Sequence, residues 1–385
     1  MPSVLVVYGT RPEAIKMAPV VAALHRSEYL KPVVAVTGQH RQMLDQVNAL
    51  FRIVPSHDLD IIAPRQTLQD ITTRALDGVA EVIRAESPDL LLVQGDTTTC
   101  FAAALAAFYA QLPVAHLEAG LRTDHRYNPF PEEMNRRLTS QLADLHLAPT
   151  PTARKNLLRD GIDDGAVHVT GNTVIDALLE VVRQDNPLVD PVLPGLRGRR
   201  LVVVTAHRRE SWGAPMARTA SAVARLARAH PDVAFLLPAH LNPAVREVLL
   251  PPLADLENVY VTGPLTYSDM AWALNACTLV LTDSGGVQEE APGLGKPVLV
   301  LRETTERPEA VQAGTVRLVG TDEDLIVESV TGLLANADAY DAMARAVNPY
   351  GDGHAAARCV QAMESFFGVA EPPAPFMPVV ASAPH

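Results

Sequence analysis

Short apolar runs alternate with amphipathic segments along almost the whole chain, and this alternation restricts the fold more than any other feature. Runs of this kind are typical of parallel strands buried on both faces, and the segments between them are typical of crossover helices. In the first half the predicted strands are residues 4–8, 33–36, 90–93, 114–116 and 145–148. The pattern therefore indicates an α/β fold with a doubly wound parallel sheet.

The same alternation restarts after residues 185–200, a segment without periodicity that contains three prolines and two glycines and is typical of a linker or boundary loop. In the second half the predicted strands are residues 201–205, 234–237, 259–261, 279–282 and 297–301. A chain of 385 residues also exceeds the usual size of a single core. We therefore predict two Rossmann-like domains, at residues 1–170 and 171–352.

The C-terminal region has two parts with different patterns. Residues 353–367 are amphipathic and predict a last helix. Residues 368–385 are rich in proline and alanine, and this composition favours a disordered tail.

Bulk properties exclude several classes of protein. The net charge of −12 disfavours nucleic-acid binding, because such proteins need positive charge against phosphate. The start of the chain has no basic segment of a signal peptide, and the apolar stretch 101–110 is about half as long as a membrane helix. The three cysteines have no CxxC spacing and indicate neither a disulfide framework nor a zinc site. We expect a cytoplasmic protein without membrane or nucleic-acid partners.

Ligands of open parallel sheets bind at the carboxyl ends of the strands, so the loops that follow the strands are the first places to search. After the first strand, Thr10 and Glu13 have capping-box spacing, and Arg11 and Lys16 follow closely. Helix amides with two cations can form an anion pocket. The same residues also fit a capped helix with two solvated cations, and the loop alone leaves both interpretations open.

Acidic residues follow two neighbouring strands. Asp96 comes after one and Glu118 after the next, so they are expected to meet at one edge of the sheet. A lone Asp before a threonine run often caps a helix, whereas a close carboxylate pair suits acid/base chemistry. Glu132 and Glu133 lie further on, in the first turn of a predicted helix, where acids are favourable for electrostatic reasons alone.

The second half presents a similar set of loops. His207 follows one strand, and Ser284, Gly285 and Gly286 follow another. Ser284 is a good N-cap, and two glycines let a phosphate approach the backbone amides. Glu290 in the helix that follows is placed to reach ribose hydroxyls, and Arg307 precedes a further helix. These groups favour a nucleotide diphosphate as ligand.

Fingerprints of bound cofactors are absent from the sequence. No GxGxxG follows a strand and no GxxxxGK[ST] occurs, so neither a nicotinamide cofactor nor a P-loop triphosphate is indicated. The ligand spacings HxxxH and HExxH are also missing, which disfavours a metal site. The residues considered for such a site are Asp96, His116, Glu118, His207 and His240. We therefore predict an enzyme without cofactor or metal.

A series of motifs resembles the non-hydrolysing UDP-N-acetylglucosamine 2-epimerases and covers the chain from about residue 4 to residue 367. The motifs are GTRPEAIKMAP, TGQHRQMLDQV, GDTTT, HLEAGLRT, NPFPEEMNRR, GNTVIDAL, AHRRES, LTDSGGVQEEAPGLGKPVLVLRETTERPEA and NPYGDG. The resemblance implies a glycosyltransferase-B-like architecture, with two lobes facing across a cleft and the C-terminal helix completing the first lobe. It also implies a homodimer that acts in cell-surface polysaccharide biosynthesis.

The resemblance implies roles for individual residues. The implied catalytic set is Asp96, Glu118, Glu132 and His207. The implied UDP-sugar contacts are Arg11, Lys16, Asp96, Glu118, His207, Met270, Ser284, Gly285, Gly286, Glu290 and Arg307. The implied pocket for a second UDP-N-acetylglucosamine, which acts as an allosteric activator, is formed by Gln39, His40, Gln42 and Arg65.

Two positions and the loop at residues 124–127 depart from the family pattern. Met270 stands where relatives stack an aromatic ring on uracil, and its thioether can pack on the same ring face. Gly38 replaces an alanine before the activator motif.

The implied reaction is reversible inversion at C2 of UDP-N-acetylglucosamine, giving UDP-N-acetylmannosamine, through elimination of UDP to 2-acetamidoglucal and its re-addition. Three other functions fit parts of the pattern. They are a retaining glycosyltransferase, a hydrolysing epimerase that releases free N-acetylmannosamine, and a regulator that binds the nucleotide sugar without turnover. The acids at the strand ends disfavour the regulator, and the motifs GDTTT, HLEAG and PFPEE disfavour the transferase.

Overall fold

The computed structural model describes residues 1–38, 41–63, 65–123, 125–184, 186–208, 211–305 and 307–378, with the side chains of Arg41 and Gln42 excepted. These residues form two compact units. Unit 1 combines Met1–Ala177 with Tyr350–Met377, and the continuous part of unit 2 is Leu178–Pro349. The chain passes from one unit to the other inside the helix Thr173–Arg183, ahead of the proline-rich segment.

Unit 1 is built on a parallel sheet with the strand order β3-β2-β1-β4-β5-β6-β7. Its strands are β1 (Ser3–Tyr8), β2 (Lys31–Val36), β3 (His57–Asp58), β4 (Leu90–Gln94), β5 (Val114–Leu117), β6 (Leu145–Ala148) and β7 (Val167–Val169). The helices before the crossing are α1 (Arg11–Arg26), α2 (Arg41–Leu50), α3 (Leu68–Glu86), α4 (Thr98–Tyr109), α5 (Glu132–Leu142), α6 (Pro151–Arg159) and α7 (Thr173–Arg183).

Unit 2 repeats the same order of strands, β10-β9-β8-β11-β12-β13, again all parallel. Its strands are β8 (Arg200–Thr205), β9 (Val233–Pro238), β10 (Val259–Thr262), β11 (Leu279–Thr282), β12 (Val298–Val300) and β13 (Val316–Leu318). Its helices are α8 (Ala214–Ala229), α9 (Pro243–Leu249), α10 (Tyr267–Ala276), α11 (Gly285–Gly293), α12 (Pro308–Ala313), α13 (Glu323–Ala335) and α14 (Ala337–Ala344).

Each sheet is buried by its own apolar residues. In unit 1, Leu5 and Val7 of β1 and Leu91 of β4 are fully or almost fully buried. In unit 2, Val202 of β8 and Phe235 of β9 have the same position in the core. Strands that are buried on both faces produce the near-continuous apolar runs seen in the sequence. The predicted fold class of two doubly wound α/β domains is confirmed.

Threonine caps start several of the crossover helices. Thr67 accepts a hydrogen bond from the N–H of Asp70 at the start of α3, and Thr97 accepts one from Cys100 at the start of α4. Thr150 does the same for Ala153 in α6. These caps fix the residue at which each helix begins.

The last helix of the chain, α15 (Ala355–Phe366), belongs to unit 1 and packs against α1. The backbone N–H groups of Ala355 and Ala356 donate to the carboxylate of Asp176, which caps the helix from α7. Ser27 at the end of α1 donates to Glu364 over 2.6 Å.

The described part of the tail is ordered, contrary to the disorder expected from residue 368 onward. Phe376 is buried, and its N–H donates to the carbonyl of Val169 over 2.8 Å. The guanidinium of Arg358 lies 5.6 Å from the centre of the Phe376 ring. One buried aromatic ring, a cation beside it and a backbone hydrogen bond hold this proline- and alanine-rich segment in place. Residues 379–385 lie outside the described residues.

Within the described ranges, the helices are too short or too polar to cross a lipid bilayer.

Candidate active site

The strand order places a topological switch point between β1 and β4 in unit 1, and between β8 and β11 in unit 2. At such a point the chain connections leave in opposite directions, and the carboxyl ends of the two strands leave room for a ligand. The predicted residues Arg11 and Asp96 follow the first pair of strands. His207 and Ser284 follow the second pair.

The loop after β1 is closed by a buried carboxylate. Glu13 accepts hydrogen bonds from the N–H groups of Gly9 and Thr10, at 3.0 and 2.8 Å, and from the hydroxyl of Thr97 at 2.6 Å. Burial raises the pKa of Glu13 in spite of these bonds. The predicted capping box is therefore present, and it links the loop after β1 to the loop after β4. Arg11 begins α1 and is half-buried.

Glu118 is the centre of a polar cluster at the end of β5. Its carboxylate accepts from Lys16 Nζ at 2.5 Å, from Gln94 Nε2 at 2.5 Å and from Asn172 Nδ2 at 3.1 Å. Its backbone has a φ of +63°, which is uncommon for a residue with a side chain. Strain of this kind is typical of functional positions. The ammonium of Lys16, one of the two cations predicted for an anion pocket, is paired with this carboxylate.

Asp96 follows β4 and is held by α5 at two points. The guanidinium of Arg136 donates through Nη2 to Asp96 Oδ2. Asn135 Nδ2 donates to the backbone carbonyl of Asp96 over 2.9 Å. The Asp96 side chain remains partly exposed. Thr97, not Asp96, is the N-cap of α4, so the alternative interpretation of Asp96 as a helix cap is wrong.

Two adjacent glutamates at the start of α5 have different environments. Glu133 is fully buried and accepts from the N–H of Thr123 at 3.0 Å and from Arg137 Nε at 2.7 Å, so it has a structural role. Glu132 is half-buried, and no described residue forms a hydrogen bond or ion pair with its carboxylate. Of the two, Glu132 is the one whose carboxylate has no partner among the described residues.

A pair of buried histidines lies beneath these loops. His116 in β5 and His146 in β6 are register partners. His116 Nε2 lies 2.7 Å from the carbonyl of Gly95, so this nitrogen carries the proton. Burial lowers the pKa of His116 to about 3 and that of His146 to about 4. Both rings are therefore neutral near pH 7 and belong to the core.

In unit 2 the switch point is bridged by a histidine and a buried aspartate. His207 Nδ1 lies 3.0 Å from Asp283 Oδ1. Asp283 Oδ2 accepts the backbone N–H groups of His207 and Arg208, at 2.7 and 2.8 Å. Burial alone would raise the pKa of Asp283, but these hydrogen bonds and the imidazole lower it overall. The His207 side chain is 43% exposed, so the ring faces Asp283 on one side and remains accessible from solvent.

The start of α11 carries two guanidinium groups. Ser284 is the N-cap residue, and Gly285 and Gly286 form the first turn. A Cβ at Gly285 would lie 2.9 Å from Arg307 Nη1 and 3.3 Å from Arg208 Nη2, so both cations converge on this glycine. Arg307 Nε donates to the buried Glu289 over 2.7 Å, which fixes its direction. Helix N–H groups with two guanidinium groups form an anion site.

The remaining predicted residues of unit 2 lie on α10 and α11. Tyr267 donates to Glu290 Oε1 over 3.0 Å, and Glu290 Oε2 lies 4.0 Å from the Cβ position of Gly286. Met270, one turn further along α10, is half-buried.

Comparison with known proteins identifies the family. The family model described as UDP-N-acetylglucosamine 2-epimerase matches residues 22–364. The UDP-N-acetylglucosamine 2-epimerase of Escherichia coli strain K12 is 51% identical, over 94% of this chain and 98% of its own length. This chain belongs to the UDP-N-acetylglucosamine 2-epimerase family. The resemblance to the non-hydrolysing epimerases is thereby confirmed.

Solved structures agree with this assignment. The crystal structure of UDP-GlcNAc 2-epimerase from Neisseria meningitidis bound to UDP-GlcNAc has a TM-score of 0.85 and 46% identity, covering 94% of this chain and all of that one. The glycosyltransferase SnogD from Streptomyces nogalater is 18% identical with a TM-score of 0.63, covering 94% of this chain and 99% of its own, and shares the fold alone. The glycosyltransferase-B-like fold class of this epimerase family member is confirmed.

Several residues at the candidate site of this family member were not predicted from the sequence. Arg136 and Asn172 contact predicted acids, and Arg208 and Asp283 surround the predicted anion site. For Arg208 and Asp283 a signal existed, because Asp283 directly follows β11 and Arg208 comes soon after the end of β8, at the switch point. Arg136 and Asn172 lie within or before helices, where polar residues are usually solvent-facing, so their roles depend on tertiary contacts.

The predicted activator residues are only partly described. Gln39, His40 and the Gln42 side chain lie outside the described residues. Arg65 is exposed and has a φ of +58°. Among the described residues, no group of three or more His, Cys, Asp or Glu side chains is arranged to hold a metal ion.

Proposed function

We propose that this family member interconverts UDP-N-acetylglucosamine and UDP-N-acetylmannosamine by elimination and re-addition of UDP. The observation that carries the proposal is the presence of two complementary groups of residues. Unit 2 offers an anion site with two guanidinium groups at Gly285, and unit 1 offers the carboxylate of Asp96 after a switch-point strand and that of Glu132 at the start of α5. A reaction that expels a diphosphate and moves a proton needs both groups.

The proton at C2 of an N-acetylhexosamine is not next to a carbonyl, so a carboxylate cannot remove it directly near neutral pH. Departure of UDP from C1 develops positive charge at C1 and makes the C2 proton more acidic. Arg208, Arg307 and the N–H groups at the start of α11 are placed to stabilise the negative charge of the leaving diphosphate. Leaving-group stabilisation is therefore assigned to unit 2.

Elimination then breaks the C2–H and C1–O bonds and forms the C1–C2 π bond and a carboxyl O–H bond. A carboxylate takes the C2 proton, the C2–H electron pair becomes the C1–C2 double bond, and the C1–O pair leaves with UDP. The product is 2-acetamidoglucal. In the second half, a proton is delivered to the opposite face of C2 and a diphosphate oxygen of UDP attacks C1. No net oxidation or reduction occurs, so no redox cofactor is required.

Asp96 and Glu132 are the two groups that we assign to proton transfer. Glu118 already accepts three hydrogen bonds, including one from Lys16. We assign Glu118 to binding and organisation of the sugar, with Lys16 held as its partner. His207, oriented by Asp283, is suited to donate a hydrogen bond or a proton to the departing phosphate oxygen.

The experiment that tests this function is proton and phosphorus NMR of the products formed from UDP-N-acetylglucosamine alone. We expect a stable mixture with UDP-N-acetylmannosamine, and the same mixture when the reaction starts from that product. Stoichiometric free N-acetylmannosamine with UDP would indicate the hydrolysing epimerase instead. Turnover only with an added acceptor would indicate a glycosyltransferase, and binding without turnover would indicate a regulator.

We further propose that the enzyme is a homodimer, as the family resemblance implies. Light scattering coupled to size-exclusion chromatography should give twice the chain mass of 41.4 kDa. A mass equal to one chain over the concentration range of the activity assay would contradict this proposal.

A further inference from the structure

Helix α5 contributes three residues to the candidate site, and two of them hold Asp96. Its first residue is Glu132. One turn later, Asn135 binds the backbone of Asp96 and Arg136 binds its carboxylate. A single helix therefore sets the position of Asp96 and also carries Glu132.

The side chain of Arg136 joins two carboxylates. Its Nη2 donates to Asp96 Oδ2, and its Nη1 donates to Glu133 Oε2 over 3.4 Å. The side chain is only 12% exposed. A planar guanidinium has donors in fixed directions, so contact with two carboxylates at once determines its orientation.

Glu133 is the fixed end of this chain of contacts. It is fully buried and also accepts from Arg137 Nε and from the N–H of Thr123. Because Glu133 is held by its own helix and by the loop before it, Arg136 has an immobile anchor on one side. Asp96, on the other side, is the more exposed partner.

Stability alone does not account for the arrangement. Arg136 Nε is buried and has no hydrogen-bond partner among the described residues. A buried donor without a partner costs stability, and a buried ion pair is often no more stable than apolar residues of similar volume. An arginine kept at this position with one donor unsatisfied is better explained by what it does to Asp96.

We propose that Arg136 is a positioning residue for the epimerisation: anchored by Glu133, it holds the Asp96 carboxylate in the direction required at the sugar. This inference rests on the proposed function and adds a residue to it. Its effect is transmitted through Asp96, so Arg136 itself need not touch the substrate. Small errors in the direction of a reacting group cost large factors in rate.

The test compares Arg136→Gln and Arg136→Lys with the matched control Arg137→Gln. Arg137 is the next residue on α5, and it donates to the same glutamate and to the carbonyl of Thr123. We expect Arg136→Gln to lower kcat about 100-fold, with KM and the calorimetric Kd for UDP changed less than about threefold. Arg136→Lys keeps the charge without the forked donors and should lose about tenfold. Arg137→Gln should lose less than about threefold.

A double-mutant cycle distinguishes positioning from general damage to α5. In the background Asp96→Asn, the further change Arg136→Gln should lower kcat less than about threefold, because the group that Arg136 directs is already inactive. A loss of the full factor in that background would overturn the proposal. An effect of Arg137→Gln as large as that of Arg136→Gln would also overturn it, as would a rise in KM and Kd in place of the fall in kcat.

Two readouts keep the result interpretable. Circular dichroism and thermal unfolding identify a variant that does not fold, in which case Arg136→Lys, which retains the volume and charge, decides the outcome. Wild-type turnover is measured first, in the same preparation. If the wild type does not epimerise, the proposed function fails; if it does and the cycle is additive, only the role of Arg136 fails.

Discussion

Gly285→Ala is the substitution that tests the anion site of unit 2 most specifically, because it adds one methyl group where two cations converge. The new Cβ would lie 2.9 Å from Arg307 Nη1 and 3.3 Å from Arg208 Nη2. Arg307 cannot move away freely, since its Nε is bonded to the buried Glu289. The guanidinium must therefore shift relative to the start of α11, and the methyl group also covers the backbone that a phosphate would approach.

The expected loss of affinity for UDP follows from the contacts that are lost. One charge-assisted hydrogen bond to a phosphate is worth about 2 kcal/mol, which corresponds to about a 30-fold rise in Kd. The free energy of unfolding should change by less than about 1 kcal/mol, because alanine is favourable in a helix and the displaced atom is the end of a side chain. The affinity for UDP should therefore fall while the free energy of unfolding changes little.

Calorimetric titration with UDP, combined with urea unfolding, measures both quantities. Gly332→Ala is the matched control: Gly332 lies in α13 of the same unit and has open space around its Cβ position. The control should bind UDP like the wild type. If Gly285→Ala bound UDP with unchanged affinity, the assignment of the diphosphate to this helix start would be wrong.

Three further predictions concern pH, cofactors and regulation. The buried His116 and His146 have folded pKa values of about 3 and about 4, below the unfolded value, so their stabilising effect is complete above about pH 6.5 and is lost as pH falls. Between about pH 7 and about pH 5, each histidine should lower the free energy of unfolding, measured in urea, by about 2 kcal/mol. His146→Gln should remove about half of the combined loss, and an identical loss in the variant would refute the explanation. Turnover should persist after exhaustive EDTA treatment and without added nicotinamide, because the sequence has neither a metal motif nor a dinucleotide fingerprint. Activity that EDTA abolishes and only a divalent metal restores would contradict the prediction of an enzyme without a metal. If Gln39, His40, Gln42 and Arg65 form an activator pocket, the reverse reaction should begin with a lag that added UDP-N-acetylglucosamine removes, because the coupling between two binding sites is reciprocal; hyperbolic kinetics without stimulation would exclude the pocket.

The strands were predictable because parallel strands buried on both faces leave apolar runs in the sequence. All ten predicted strands are present with ends within two residues. The missed strands, β3, β7 and β13, are two or three residues long and lie at the edges of their sheets. A run of that length carries too little periodicity to distinguish a strand from a loop.

That the candidate site residues lie near one another within each unit was also predictable, since strand ends converge at a switch point in any doubly wound sheet. Their partners were not. Adjacent residues such as Glu132 and Glu133 have the same preference for the first turn of a helix. Only tertiary packing buries Glu133 and leaves Glu132 half-buried. The pairing of Lys16 with Glu118 likewise joins residues that are 102 positions apart in the sequence.

The most direct test of the account is the fate of the hydrogen at C2 during turnover in deuterated water. Elimination and re-addition predict deuterium at C2 of the product, and release of UDP with 2-acetamidoglucal on long incubation. Asp96→Asn and Glu132→Gln should each lower turnover by about 10²- to 10⁴-fold while UDP binding is retained. If the wild-type product kept its original C2 hydrogen through many turnovers, the assignment of proton transfer to Asp96 and Glu132 would be contradicted.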